Sequence, residues 1–214
     1  MSLERRQATV ALAQQYQAPI IEDDPYGDLR YEGEPLSSLF DLAPEQVLYL
    51  GTFSKIFAPG FRLAWAVAKP EIMRPLMIAK QSADLQSATF SQFLVYESLR
   101  DGFLEGRIEE IRKYYHQQRN HMLEAIHQAF PDAVRYKVPS GGMFLWCELP
   151  EGKDASEILE TALEHKVAYV PGRPFFPSSW QGGENTLRLS FSLVAPDEIN
   201  EGIDRLGRVF KAVL

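Results

Sequence analysis

The sequence predicts an α/β layer followed by a second domain that mixes helices with antiparallel strands. The first observation behind this is a set of short apolar runs that stop abruptly at polar loops: Ile20-Ile21, Val47 to Leu50, and Leu63 to Ala68. Buried strands of an α/β sheet read this way, and they present chemistry where they end. The second is a change of pattern near residue 104, after which long helical periodicities alternate with short strands. The third is composition. A chain of 214 residues, 45% hydrophobic and 24% charged, is ordinary folded protein and has enough core to need no disulfide staples.

Taken in order, Ser2 is placed as the N-cap of a first helix with Glu4 in its first turn. Ala8, Ala11, Leu12 and Tyr16 recur on one face of it. Pro19 breaks the pattern, and Ile20-Ile21 runs as a strand into Glu22-Asp23-Asp24-Pro25-Tyr26-Gly27. The strand Val47 to Leu50 ends at Gly51-Thr52-Phe53-Ser54-Lys55, and the strand Leu63 to Ala68 follows Pro59-Gly60-Phe61-Arg62. Pro70 to Arg100 is mostly helix-forming, Ser82 to Ser91 is polar enough to bend or divide it, and Asp101-Gly102 ends it. Ile108, Ile111, Tyr115, Met122, Ile126 and Phe130 then repeat at helical spacing up to Pro131. Strands are predicted around Val134-Arg135-Tyr136, at Met143 to Cys147 after the turn Pro139-Ser140-Gly141-Gly142, and at Val167 to Val170 before Pro171-Gly172. Asp154 to His165 reads as an amphipathic helix, Leu187 to Ser192 as an alternating strand, and Pro196 to the end as a terminal helix.

Composition also excludes classes of function. Lys+Arg is 22 against Asp+Glu 29, a net charge of -7. That balance argues against nucleic acid or an anionic membrane surface as partner. No apolar run reaches the ~18 residues of a membrane helix. The N-terminus Met1 to Arg6 lacks the apolar core of a signal peptide. The single cysteine, Cys147, excludes an intrachain disulfide and a cysteine-based zinc site, and it fits a reducing, cytoplasmic setting. His116, His121, His127 and His165 show no metal-ligand spacing, so no metal is expected.

Lys55 is the foremost candidate for chemistry. A lysine held inside a protein gives up its proton more readily than a free one, and the neutral amine forms Schiff bases. Thr52, Ser54 and Arg62 around it have the hydroxyls and the forked guanidinium of an anion cradle. On spacing alone Lys55 reads equally as a solvated loop lysine. Asp23, at a strand end, can pair with a protonated ring nitrogen, and Tyr26 can hydrogen-bond a ring oxygen, yet Asp-Asp-Pro-Tyr-Gly is also plain turn chemistry. Arg188 interrupts an alternating strand. Facing inward it needs an anion such as a substrate carboxylate, but the residues alone favour an edge-strand arginine facing water.

Together these segments are more specific than any one of them. Ile21 to Tyr26, Gly51 to Lys55 with Ala58 to Arg62, Pro139 to Phe144, Pro171-Gly172 and Leu187 to Phe191 resemble the class I/II aminotransferases of pyridoxal-phosphate fold type I. The pattern is closest to the 2-aminoadipate aminotransferase group, which is related to the aminotransferase-like domains of MocR-type regulators. The resemblance implies pyridoxal 5'-phosphate as cofactor, with Lys55 as its Schiff-base and proton-transfer residue. It implies that Asp23 holds the pyridine nitrogen protonated and that Tyr26 hydrogen-bonds the ring 3′ oxygen. Thr52, Ser54 and Arg62 would hold the phosphate, and Arg188 the substrate α-carboxylate.

The resemblance covers only the C-terminal half of such an enzyme. It implies the C-terminal part of the large cofactor-binding α/β domain in residues 1–104 and a complete α+β small domain in residues 105–214. The family's glycine-rich phosphate loop, ring-stacking aromatic and ring-contacting Asn all lie upstream of Met1, so a chain inactive by itself is expected. Amino acids and 2-oxo acids are the implied substrates, a homodimer the implied assembly. A ligand-sensing domain of a MocR-type regulator is the alternative. It requires a winged-helix segment that is not in this sequence, and the Pro25-Tyr26-Gly27 form of the acidic loop favours the enzyme.

Overall fold

A computed structural model describes all 214 residues, and the backbone divides into two units, Met1–Arg112 and Lys113–Leu214. In the first unit Ser2 caps helix α1, Leu3–Gln15, its hydroxyl accepting from Arg5 N at 3.4 Å. The buried stripe of α1 differs from the expected one. Val10 is buried with Arg6, Thr9 and Ala13 partly covered, whereas Leu12 and Tyr16 face outward at 56% and 71% exposure. The reason lies in what α1 meets. It packs on helix α2, Leu39–Leu42, in a cluster of Val10, Leu39, Ala43 and Val47 flanked by Ile20, Phe40 and Leu42.

Strand β1, Ile20–Asp23, runs parallel to β2, Val47–Thr52, which runs antiparallel to β3, Ala64–Val67, giving the order β1-β2-β3. Gln46 secures the approach to β2 by donating to Ala13 O in α1 and to Ala18 O just beyond it, both at 2.7 Å. Helices α3, Pro70–Asp84, and α4, Thr89–Arg100, divide within the polar stretch, each reaching three residues into it and leaving only residues 85–88 outside a helix. They leave apolar side chains bare, among them Ile78, Phe90 and Phe93. Gly102, at φ +70°, turns the chain into α5, Phe103–Ala129, within which the division between units falls.

The second unit holds an all-antiparallel sheet of order β4-β5-β7-β6. Its strands are β4, Arg135–Lys137, β5, Phe144–Glu148, β6, Val170–Pro171, and β7, Thr186–Ser190. Leu145 and Cys147 of β5 pair with Leu189 and Leu187 of β7, so all four share one face, and all four are buried. The predicted strand at Val167 shortens to two residues. Val167 N closes the end of α6, Ala155–Glu164, on Ala162 O at 3.0 Å, and the Tyr169 hydroxyl reaches back to Ala155 O at 2.6 Å. The backbone there finishes a helix instead of joining a ladder. Helix α7, Pro196–Val213, buries Ile199, Ile203, Leu206 and Phe210 as its periodicity predicts. It approaches α5 so closely that a Cβ on Gly207 would lie 2.5 Å from Ala129 O.

Burial pushes the Cys147 thiol up from its ordinary value to about 12. Thiolate is the reactive form, so the folded chain is expected to resist thiol reagents that label the unfolded chain at once. Labelling of folded chain at the unfolded rate would refute the buried placement.

Candidate functional site

The sequence-predicted residues of the first unit meet at the carboxyl ends of β1 and β2. Asp23 closes β1 and pairs with Leu50 of β2. Successive residues alternate faces, so Asp23, Leu50 and Thr52 present their side chains to one face of the sheet, and Glu22 points to the other. Asp23 is exposed and Thr52 partly covered. Asp24 N extends the ladder to Leu50 O at 2.9 Å, and Tyr26 N-caps the short turn Gly27–Leu29. A Cβ on Gly27 would sit 2.2 Å from Asp24 Oδ2, so a larger residue there would push the Asp24 carboxylate aside.

Glu22 is the buried counterweight to Asp23. Its Oε1 accepts from Leu39 N at 3.0 Å and from Arg6 Nη1 at 3.2 Å, and Oε2 accepts from Phe40 N at 3.0 Å. Tyr49, paired with Glu22 across the ladder, brings its hydroxyl 3.5 Å from Asp24 Oδ2. Burial above all, then the charge of Asp24, raises its pKa to about 12, so Tyr49 is a neutral donor at ordinary pH.

Lys55 stands in a turn that is closed behind it. Phe57 N and Ala58 N both donate to Phe53 O, at 2.9 and 3.1 Å. Phe53 packs on Trp65 with ring centroids 4.7 Å apart, and Ile56 is buried, so anchors on both sides fix the partly covered lysine. These two anchors also line a cavity of about 260 Å³ that none of the predicted site residues enters. Gly51 is required for this packing because a Cβ there would lie 2.3 Å from the Trp65 ring. Thr52 Oγ1 accepts from Ser54 N at 3.1 Å and lies 3.0 Å from Ser54 Oγ, which sets the two hydroxyls side by side. Arg62 is exposed at the left-handed φ of 51°, and its Nη1 donates to Pro59 O at 3.3 Å. Two hydroxyls and a guanidinium on one loop form a donor set suited to a phosphate.

Arg188 lies in the second unit, and its surroundings overturn the edge-strand expectation. Strand β7 is interior, lying between β5 and β6, with Arg188 paired to Trp146 on one side and Val170 on the other. Its guanidinium carbon sits over the rings of Phe144 and Phe175, 4.0 and 4.8 Å from their centroids. Sequence reasoning missed Glu22, Phe144 and Phe175. Strict alternation through Ile20–Asp23 was the available signal for Glu22, since it puts neighbouring acids on opposite faces.

The aminotransferase class I and II profile matches residues 1–206. The chain belongs to the class I and II aminotransferases. Among members of that family, aromatic-amino-acid aminotransferase 1 of Thermococcus litoralis is 46% identical over 212 residues, which are 99% of this chain and 50% of the relative. The α-aminoadipate aminotransferase of Thermus thermophilus, solved with N-(5'-phosphopyridoxyl)-L-leucine, superposes with a TM-score of 0.91 at 43% identity, over 99% of this chain and 55% of that one. The kynurenine aminotransferase of Pyrococcus horikoshii, solved with PMP, gives 0.95 at 45% identity, over 100% and 53%. The fold is therefore a partial fold type I aminotransferase, and the chain spans about half the length of the curated relatives it matches. Transcriptional regulators of the HTH type from Bacillus subtilis match at 27% to 30% identity. No helix is long and apolar enough to cross a membrane.

Proposed function

We propose that this chain carries the lysine, phosphate-binding and carboxylate-binding residues of a pyridoxal-phosphate-dependent aminotransferase, which moves an amino group from an amino acid to a 2-oxo acid. The observation behind this reading is the anchored turn of Lys55, with Thr52 and Ser54 beside it and Asp23 on the same sheet face at the adjoining strand end. The donor set fits the cofactor. Paired hydroxyls and a guanidinium suit its phosphate, a carboxylate suits a protonated ring nitrogen, and no hydrogen bond or ion pair engages the Lys55 amine. When bound, pyridoxal phosphate supplies an aldehyde that captures amines and a ring that withdraws electrons from Cα.

The chain's own residues divide the remaining work. Lys55 would be the residue that holds the cofactor at its aldehyde carbon, and its amine, when free, would serve as the base that moves a proton at the substrate Cα. Thr52, Ser54 and Arg62 donate to the phosphate. Asp23 would keep the ring nitrogen protonated, since a carboxylate in contact with a cation attracts it by a few kcal/mol, on the order of 4 at an effective dielectric near 20, before desolvation is counted. Tyr26 donates to the ring oxygen, and Arg188 takes the α-carboxylate in a forked pair. Residues 1–104 act as the C-terminal part of the cofactor-binding domain and residues 105–214 as the small domain, in a cytoplasmic homodimer. Small misplacements of reacting groups cost rate steeply, so the 214 residues, which span half the relatives' length, are expected by themselves to fall short of the roughly 1 s⁻¹ of a working enzyme. The sequence match to regulators supports a second reading, a ligand-sensing domain, but at lower identity than the aminotransferases.

The test is to add pyridoxal phosphate, reduce with borohydride and map peptides. The cofactor mass is expected on Lys55, and adducts confined to other lysines would defeat the reading.

A further inference from the structure

We infer that Phe144 and Phe175 are positioning residues for Arg188, holding its guanidinium against their rings with its N–H donors turned to an incoming carboxylate; this rests on the carboxylate reading of Arg188 above. Arg188 rises from the middle of a four-stranded sheet, in register with Trp146 and Val170. Phe144 precedes Trp146 by one alternation on β5, so its ring lies on the same face. Phe175 arrives from the turn Arg173–Phe175 that follows β6. A guanidinium held over ring faces is attracted through the ring quadrupole. The rings offer no acceptor, and no acidic or carbonyl group of its own unit hydrogen-bonds Arg188. A planar cation restrained by its faces keeps its donors available, which suits a carboxylate bound through two parallel bonds.

The rings are themselves held in place. Phe175 meets Trp146 edge-on at 5.5 Å and 82°, and Phe176 bridges Trp146 and Trp180 at 6.2 and 5.8 Å. The turn bearing Phe175 is drawn onto β7 by Gly172 N donating to Thr186 O at 2.7 Å, and a Cβ on Gly172 would lie 1.8 Å from Thr186 Oγ1. The turn leading to Phe144 is pinned by the buried Arg119, whose Nη1 donates to Pro139 O at 2.8 Å. Phe175 is 49% exposed, so burial in a core does not explain why a large ring is kept at that place. Contact with Arg188 and Trp146 does.

The test uses the 214-residue chain labelled with ¹⁵N-arginine, with the Arg188 Nε–H signal identified by its loss in Arg188→Lys. Ring currents are expected to displace that signal, and 3-phenylpropionate, but not its neutral amide, is expected to move it further. Phe175→Leu and Phe144→Leu should each return the signal toward that of a free arginine and weaken the probe about three- to tenfold. Phe175→Tyr, which keeps a ring face, should preserve both. Leucine variants with wild-type signal and affinity would overturn the inference, and so would a Phe175→Tyr variant as impaired as Phe175→Leu. If the leucine variants move the signal but the wild-type chain binds no 3-phenylpropionate, the rings do hold Arg188 and it is the carboxylate reading that fails.

Discussion

Alanine in place of Arg188 is expected to lower the affinity of the chain for 3-phenylpropionate on the order of 10- to 100-fold. The guanidinium stands at the centre of its sheet face, on an interior strand, and a forked pair to a carboxylate adds direction to charge. Lysine at this position should recover little, because an ammonium has neither the fork nor the delocalised, weakly hydrated charge that sits over Phe144 and Phe175. The substitution lies on the face opposite Leu145, Cys147, Leu187 and Leu189, so the core stays intact and folding is preserved. Calorimetric titration of wild-type and variant chains measures the loss, and equal affinities would remove Arg188 from any anion site.

Glu22→Ala is expected to be the most destabilising single change near the site, by about 3 kcal/mol. Three donors converge on this one buried carboxylate: two backbone N–H groups at the start of α2 and the Arg6 guanidinium. Removing it leaves the two backbone donors without an acceptor and Arg6, whose side chain is only 18% exposed, with Ser37 O alone at 3.1 Å and its charge uncompensated. The melting midpoint of the chain should fall by about 10 °C. Glu22→Gln, which keeps one oxygen acceptor, should fall by less than half as much. A midpoint for Glu22→Ala within about 1 °C of wild type would mean that β1 is held by other contacts.

Much of this was legible in the residues. Apolar runs broken by Asp23 and by Thr52-Phe53-Ser54-Lys55 marked two strand ends, and the sheet does place both at one edge. The terminal helix followed its period because one partner surface covers one stripe. What failed to show were properties that depend on neighbours remote in sequence. The buried stripe of α1 differs from the expected one because Ala8, Ala11 and Leu12 make as good a pattern as Val10, and only the packing of α2 decides between them. Arg188 read as a solvated edge because alternation cannot tell an interior strand from an outer one. Only the pairing of β7 with both β5 and β6 decides that. Glu22 was passed over as part of an acidic turn, although its partners Leu39 and Phe40 come from a helix that the apolar pattern did not announce.

The outermost strands of the two sheets have unequal consequences for how copies of the chain meet in solution. In the second unit, β4 bears Arg135 and Lys137, and β6 is two residues long and ends at Pro171, which has no N–H to offer. Charge on one rim and proline on the other discourage a foreign strand from adding there. The first unit is guarded less: exposed Asp23 puts one charge at the end of β1, and β3 has neither charge nor proline. Its rims are Ile-Ile-Glu-Asp and Ala-Trp-Ala-Val, with Ile21 and Val67 open to water. Clumping on concentration or heating should therefore start from residues 1–112 and spare the rest, so that solubilising changes belong at Ile21 and Val67.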